Sequence, residues 1–175
     1  MGGIADIAAR SCSDAVESTG PAKVDHNLRR IEVDQSKGTV LVVDDDQAVR
    51  SVVSRKMQLA GYDCVTAADG KEALDKVSSQ TFDLVLLDIK MPGPSGMEVL
   101  PQIVTGNPDT CVIMITAVVD TETAVQAMKL GAYDYVTKPF NLDDLNIRVA
   151  KALERKRLIK ENQEFQAQQA AESSS

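Results

Sequence analysis

The 175-residue chain has no apolar run long enough to cross a membrane, and no basic region followed by a hydrophobic stretch of signal-peptide type opens it. Its first residues also miss the N-myristoylation pattern, because Asp6 stands where Ser or Thr is required. We therefore expect a soluble cytoplasmic protein. Cysteine is scarce: Cys12, Cys64 and Cys111 are an odd number without metal-ligand spacing, and the last two lie inside apolar strand-like runs. They read as reduced thiols acting as small hydrophobes. Histidine occurs once, as His26, in a stretch too short to build the helical bundle that presents a phosphorelay histidine, so it reads as a solvated tail residue. Basic charge is in deficit, with 19 Lys and Arg against 26 Asp and Glu for a net charge of -7. Such a surface repels nucleic-acid phosphates, and direct nucleic-acid binding by this chain is not expected.

What is present divides the chain unevenly. Residues 1–37 are rich in Ser, Ala, Gly and charge without a sustained period, and predict a mobile N-terminal tail. From Thr39, short apolar runs alternate with helix-period segments, the pattern of a doubly wound α/β fold with a parallel sheet covered on both faces. The five predicted strands cover 39–43, 62–67, 83–88, 111–116 and 133–136. Capping-box spacing at Asp69 with Glu72 and at Ser95 with Glu98, and a cap at Asn141 ahead of Asp143 and Asp144, mark helix starts; Gly61 and Gly131 mark helix ends. Val49, Val52, Val53, Met57 and Ala60 predict a core-facing helical stripe. Pro101 falls inside the third helical pattern and predicts a kink or a late start there.

The stretch VLVVDDDQAV, residues 40–49, sets a buried strand against three consecutive carboxylates. Like charges so close raise one another's pKa unless a cation or solvent absorbs the field. In an open parallel sheet, functional groups collect beyond the carboxyl ends of the strands. That rule selects Asp44 and Asp45 after the first strand, Asp88 closing the third, Thr116 closing the fourth and Lys138 just past the fifth. Three carboxylates, a hydroxyl and an ammonium suit phosphoryl chemistry, in which a protein mainly positions groups and neutralises charge. Clustered hard oxygens suit Mg²⁺, and Asp46 reads as the cap of the helix beginning near Gln47 rather than a third ligand from this run.

Four stretches, VLVVDDDQAVR, DLVLLDIKMPGPSGMEVL, VIMITA and GAYDYVTKPF, occur in the order and spacing that resemble the receiver domain of two-component response regulators. The resemblance covers 38–155 and implies a flavodoxin-like sheet of strand order 2-1-3-4-5. It implies that Asp88 is the phosphoacceptor, that Asp44 and Asp45 serve Mg²⁺ together with Asp88 and the backbone carbonyl of Lys90, and that Lys138 pairs with phosphoryl oxygens. The bond from Lys138 to Pro139 resembles the family's cis peptide. Thr116 and Tyr135 match the family's switch pair, while Lys90 and Val118 hold positions that tune the lifetime of the acyl phosphate. The implied partners are a sensor histidine kinase or phosphotransfer protein, and a downstream protein or output domain contacted through the helix from about Asp120 to Leu130, the strand at 133–136 and the helix after Asn141. A phosphorylation-linked dimer is compatible with that surface. Self-phosphorylation and slow dephosphorylation are the only reactions implied, with no turnover of a separate substrate.

Residues 156–175 continue the last helix beyond what the domain needs and end in a polar tail, resembling linkers of HD-GYP or sigma-54-type regulators. No helix-turn-helix, nucleotide loop or metal–histidine motif appears in the chain, so it reads as a stand-alone receiver or a fragment of a longer regulator. The basic run from Lys151 to Lys160 reads as a solvated helical face. Two rivals stand beside this reading. A haloacid-dehalogenase-type phosphatase would use Asp44 and Asp46, but Ala48 replaces the threonine of its motif and the chain lacks room for a cap domain. A receiver fold that binds its partner without phosphorylation is the other.

Overall fold

The computed structural model describes residues 36–173; Cys12, His26 and most of the expected N-terminal tail lie outside the described residues. Among the described residues, five strands alternate with five helices: β1 Thr39–Val43, α1 Gln47–Leu59, β2 Asp63–Ala67, α2 Gly70–Ser79, β3 Leu84–Leu87, α3 Gly96–Gly106, β4 Cys111–Thr116, α4 Thr121–Lys129, β5 Asp134–Thr137 and α5 Leu142–Ser173. The strands form one parallel sheet in the order β2-β1-β3-β4-β5, as expected. Registers such as Val43 with Leu87, and Thr116 with Thr137, bring the carboxyl ends of neighbouring strands level.

The central strands are apolar at nearly every position, Thr39 and Thr116 excepted, because both faces are covered, and successive side chains serve opposite cores. Leu41, Val43, Val85, Leu87, Val112 and Met114 pack with Ala73, Val77, Val99, Ile103 and Ala127 of α2 to α4. Val40, Val42, Leu84, Leu86, Ile113 and Ile115 pack instead with Val53 and Met57 of α1 and Leu145, Val149 and Ala152 of α5. The helices end and start where local chemistry directs. Asp69 and Asp120 accept from the third residue beyond them, and Glu72 accepts from the Ala68 N–H. Gly61 and Gly131 follow α1 and α4 at positive φ, which glycine adopts without strain.

One expectation fails, and of the two alternatives offered at Pro101 the late start is excluded. Val52 is 51% exposed rather than core-facing, because one residue along a helix turns the side chain by about 100° and Val53 already occupies the inward direction. Helix α3 does not start late: it begins at Gly96, where the Glu98 carboxylate accepts from Ser95 N–H at 2.7 Å, and it runs through Pro101. A proline this close to the N-terminus removes the donor of a single turn.

Helix α5 spans 32 residues. Its first half is fastened by burial of Leu145, Val149 and Ala152 and by ion pairs from Lys56 to Asp143 (2.5 Å), Arg148 to Asp134 (2.7 Å) and Lys156 to Asp83 (2.8 Å). Arg155 lies 5.6 Å above the Tyr133 ring. The basic run is therefore only partly a solvated face, since two of its cations hold the helix to the sheet. Beyond Arg157 every described residue of α5 is exposed. Among the described residues, no helix is long and apolar enough to cross a membrane.

Candidate functional site

Asp44, Asp88 and Lys138 each sit one step past a strand whose backbone ladder continues far enough to aim the side chain. Asp44 N–H donates to Ala67 O, Asp88 N–H to Val43 O, and Lys138 N–H to Thr116 O at 2.8 Å. Asp44 and Asp88 consequently face each other across the adjacent ends of β1 and β3, 3% and 4% exposed. Lys138 reaches back from the end of β5 and bridges them, with Nζ 2.6 Å from Asp44 Oδ2 and 3.1 Å from Asp88 Oδ2. The other Asp44 oxygen accepts from Asp46 N–H at 2.9 Å. Asp46 itself turns away and caps α1, accepting from Ala48 N–H at 2.8 Å, as its place before Gln47 predicts.

Asp45 is exposed, and carboxylate oxygens of Asp44, Asp45 and Asp88 lie within 4.8 Å of one another. Three hard oxygen donors at that separation, one of them open to solvent, fit a small divalent cation such as Mg²⁺. Burial pushes the Asp88 carboxyl above the ordinary carboxylate range, and the charge of Asp44 adds to it; the hydrogen bond and charge of Lys138 act against both. For Lys138, burial disfavours the ammonium, but hydrogen bonds to Asp44 and Asp88 outweigh it and raise its pKa. The ammonium is thus fixed in its charged form by the pair it neutralises.

Thr116 is fully buried at the end of β4, and its Oγ1 accepts from Val118 N–H at 3.2 Å. The Tyr135 hydroxyl donates to Val118 O at 2.6 Å. The two residues of the expected switch therefore hold opposite ends of the Val118 backbone. Lys90 is exposed and, with Asp45, Ile89, Met91, Pro92 and Ser95, lines an open cleft beside the acids. The Lys138–Pro139 peptide is cis.

Two contributors were not picked out in the sequence. Gly96, the first residue of α3, has no room for a side chain: a Cβ there would lie 2.1 Å from the Asp88 carbonyl oxygen. A glycine in the first turn of an otherwise well-capped helix was the available signal of a close backbone approach. Arg50 Nη1 donates to the carbonyls of Asp44 (2.6 Å) and Asp45 (3.0 Å). Its signal was a cation in the first turn of α1, where the helix dipole favours acids.

A doubly wound parallel sheet that gathers acids, a hydroxyl and a lysine at its carboxyl edge defines the flavodoxin-like signalling class of α/β domains. The chain belongs to the response regulator receiver domain family of two-component systems, whose family profile matches residues 40–150. It is 42% identical over 117 residues to the DNA-binding transcriptional regulator NtrC of Escherichia coli (strain K12), covering 67% of this chain and 25% of that protein. A CheY-like receiver domain protein from Methanospirillum hungatei JF-1 superposes with a TM-score of 0.67 at 32% identity, over 68% of this chain and 95% of that one. NtrX from Brucella abortus superposes with a TM-score of 0.69 at 35% identity, over 73% of this chain and 29% of that one. The chain spans about a quarter of the length of the NtrC relatives it matches.

Proposed function

We propose that this chain is a phosphorylation-dependent switch in which Asp88 accepts a phosphoryl group from a histidine kinase or phosphotransfer protein. The observation that carries the reading is the Lys138 ammonium shared between two buried acids that would otherwise repel each other. An oxygen of Asp88 forms the new O–P bond as the P–N bond to the donor imidazole breaks; the electron pair leaves on that nitrogen, which then takes a proton. Asp44, Asp45, Asp88 and the Lys90 carbonyl would hold Mg²⁺. Bound there, the ion offsets the negative charge of the acids and of the incoming phosphoryl oxygens. Lys138 pairs with those oxygens once the transfer releases it from Asp88.

Thr116 carries the switch. Its hydroxyl leaves the Val118 N–H to donate to the phosphoryl group, which loosens the loop whose carbonyl Tyr135 holds and lets the ring turn inward. The equilibrium shifts because the phosphoryl contacts differ between the two states. The affected face is α4, β5 and α5, which contacts a downstream protein or an output domain in the cytoplasm. Val118 cannot orient an attacking water, and with Lys90 it sets a slow dephosphorylation. In this division 1–37 is a tail, 38–155 the receiver and 156–175 a helical extension with a polar end.

Incubation with Mg²⁺ and acetyl phosphate, followed by intact mass measurement, tests the reading. An adduct lost in Asp88→Asn supports it; an adduct lost in Asp44→Asn but kept in Asp88→Asn points to phosphatase chemistry on the first strand and overturns it.

A further inference from the structure

Arg50 stands beside this site with no part in the chemistry above. It occupies the first turn of α1, where the partial positive charge of the helix end disfavours a cation. Its charge favours ionisation of Glu72, yet its guanidinium hydrogen bonds go to two neutral carbonyls, those of Asp44 and Asp45. The choice of those two carbonyls is informative. The carbonyl of Asp44 belongs to the peptide plane before Asp45, and the carbonyl of Asp45 to the plane after it. Arg50 thus pins both planes that flank the Asp45 Cα. Two fixed planes determine φ and ψ between them, and with φ and ψ the direction in which the side chain leaves the backbone.

Asp45 is the member of the acidic run that needs this. The Asp44 carboxylate is held on both oxygens, by Asp46 N–H and by Lys138, and the Asp46 carboxylate is held as the helix cap. For the exposed Asp45 carboxylate, no hydrogen bond or ion pair is found among the described residues, so nothing attached to the side chain itself aims it at the other two acids. The chain must also turn from the end of β1 at Val43 to the start of α1 at Gln47 within three residues; the plane after Asp45 is held as well by Asp46 N–H on Asp44 Oδ1, and the plane before it by Arg50.

We propose that Arg50 is a positioning residue for Asp45: by clamping the peptides on either side, it directs that carboxylate into the cluster with Asp44 and Asp88 and so sets the affinity of the site for Mg²⁺. This rests on the reading of the cluster as a cation site. Positioning and simple electrostatics predict opposite signs. A cation beside a divalent ion repels it, so if charge were all that mattered, removing Arg50 would tighten Mg²⁺ binding. If orientation matters, removing it weakens binding by about ten- to a hundredfold, as loss of an outer partner of a ligand does.

The measurement is a Mg²⁺ titration of the full chain without any phosphoryl donor, followed through the backbone amide resonances of Asp44, Asp45 and Asp88, with urea unfolding confirming that each variant is folded. Arg50→Ala is expected to weaken binding within that range, and Arg50→Lys, which keeps the charge and a donor, to fall between it and the wild type. In an Asp45→Asn background, Arg50→Ala should change the affinity by less than about twofold, because the ligand it serves is already impaired. Wild-type protein that binds no Mg²⁺ overturns both the cation-site reading and this inference. Wild-type binding with unchanged or tighter binding by Arg50→Ala, Arg50→Lys binding no better than Arg50→Ala, or independent losses in the double variant overturn the Arg50 role alone.

Discussion

Replacing Lys138 with methionine removes the ammonium that separates two buried acids while keeping a long apolar side chain. Carboxylate oxygens of Asp44 and Asp88 lie within 4.8 Å, and at an effective dielectric of about 20 two unit charges at that separation repel by about 3.5 kcal/mol. Removing one partner of a buried ion pair costs about 3 to 5 kcal/mol in general, and Lys138 keeps some contact with solvent, so we expect Lys138→Met to lose about 3 kcal/mol of stability at about pH 8 with a chelator present. The loss should shrink on acidification. A carboxyl whose folded-state pKa is raised, as that of Asp88 is, favours the native chain below its unfolded value and loses that advantage as pH rises through the folded one. Without Lys138 the raised pKa of Asp88 rises further, so Asp88 protonates at a higher pH in the variant and relieves the repulsion. Lys138 itself, also raised, contributes stability that is fully present below the unfolded lysine value and is lost only in alkali, so it adds no slope in this window. Urea unfolding of both proteins between about pH 5 and about pH 8, repeated in an Asp88→Asn background, reads the effect. The same loss at both ends of the range, or an undiminished loss with Asn at position 88, would refute the argument that Lys138 stabilises the fold by separating these two charges.

Gly96→Ala should destabilise the domain by about 1 to 3 kcal/mol and slow adduct formation on Asp88, because the new Cβ meets the Asp88 backbone and not a flexible side chain; a variant with wild-type unfolding midpoint and phosphorylation rate would contradict the contact. Asp46→Ala should cost about 1 kcal/mol through loss of the α1 cap, measured by urea unfolding, and a difference below about 0.3 kcal/mol would show that the cap bond is idle. The Cys64 thiol, pushed up to about 11 by burial and by the neighbouring Asp63 charge, should alkylate about a hundredfold more slowly at about pH 8 in the native chain than in urea; peptide mass mapping isolates this residue, and equal rates would place the thiol in an unperturbed setting.

Much of the site was legible because its chemistry is tied to strand ends. Apolar runs locate the strands, a parallel sheet aligns their carboxyl ends, and the polar residue that follows each run is then a candidate by position alone. Asp44, Asp88 and Lys138, which the fold brings together, were picked out this way, on three different strands. The miss at Val52 came from treating a broad stripe as one face: Val49, Val53 and Met57 satisfy the inward direction, and a neighbouring valine is turned to solvent. The basic residues near Arg155 and Lys156 were read as solvated because their partners, Tyr133 and Asp83, lie far back in the chain. Arg50 escaped because its partners are carbonyls, which carry no signature in the order of side chains.

The order of residues by itself determined the alternation of strands and helices, the caps, and the set of groups at the strand ends, since hydrophobic period and local hydrogen bonding act over a few residues. Which groups touch was decided only by the folded sheet. Lys138 stands 94 residues from Asp44, and nothing local makes it reach two acids at once; the crossover of β1 between β2 and β3 and the placing of β5 at the edge beside β4 bring them together. The same holds for Gly96 against Asp88 and Lys156 against Asp83, because close packing specifies its contacts in space, where separation along the chain no longer counts.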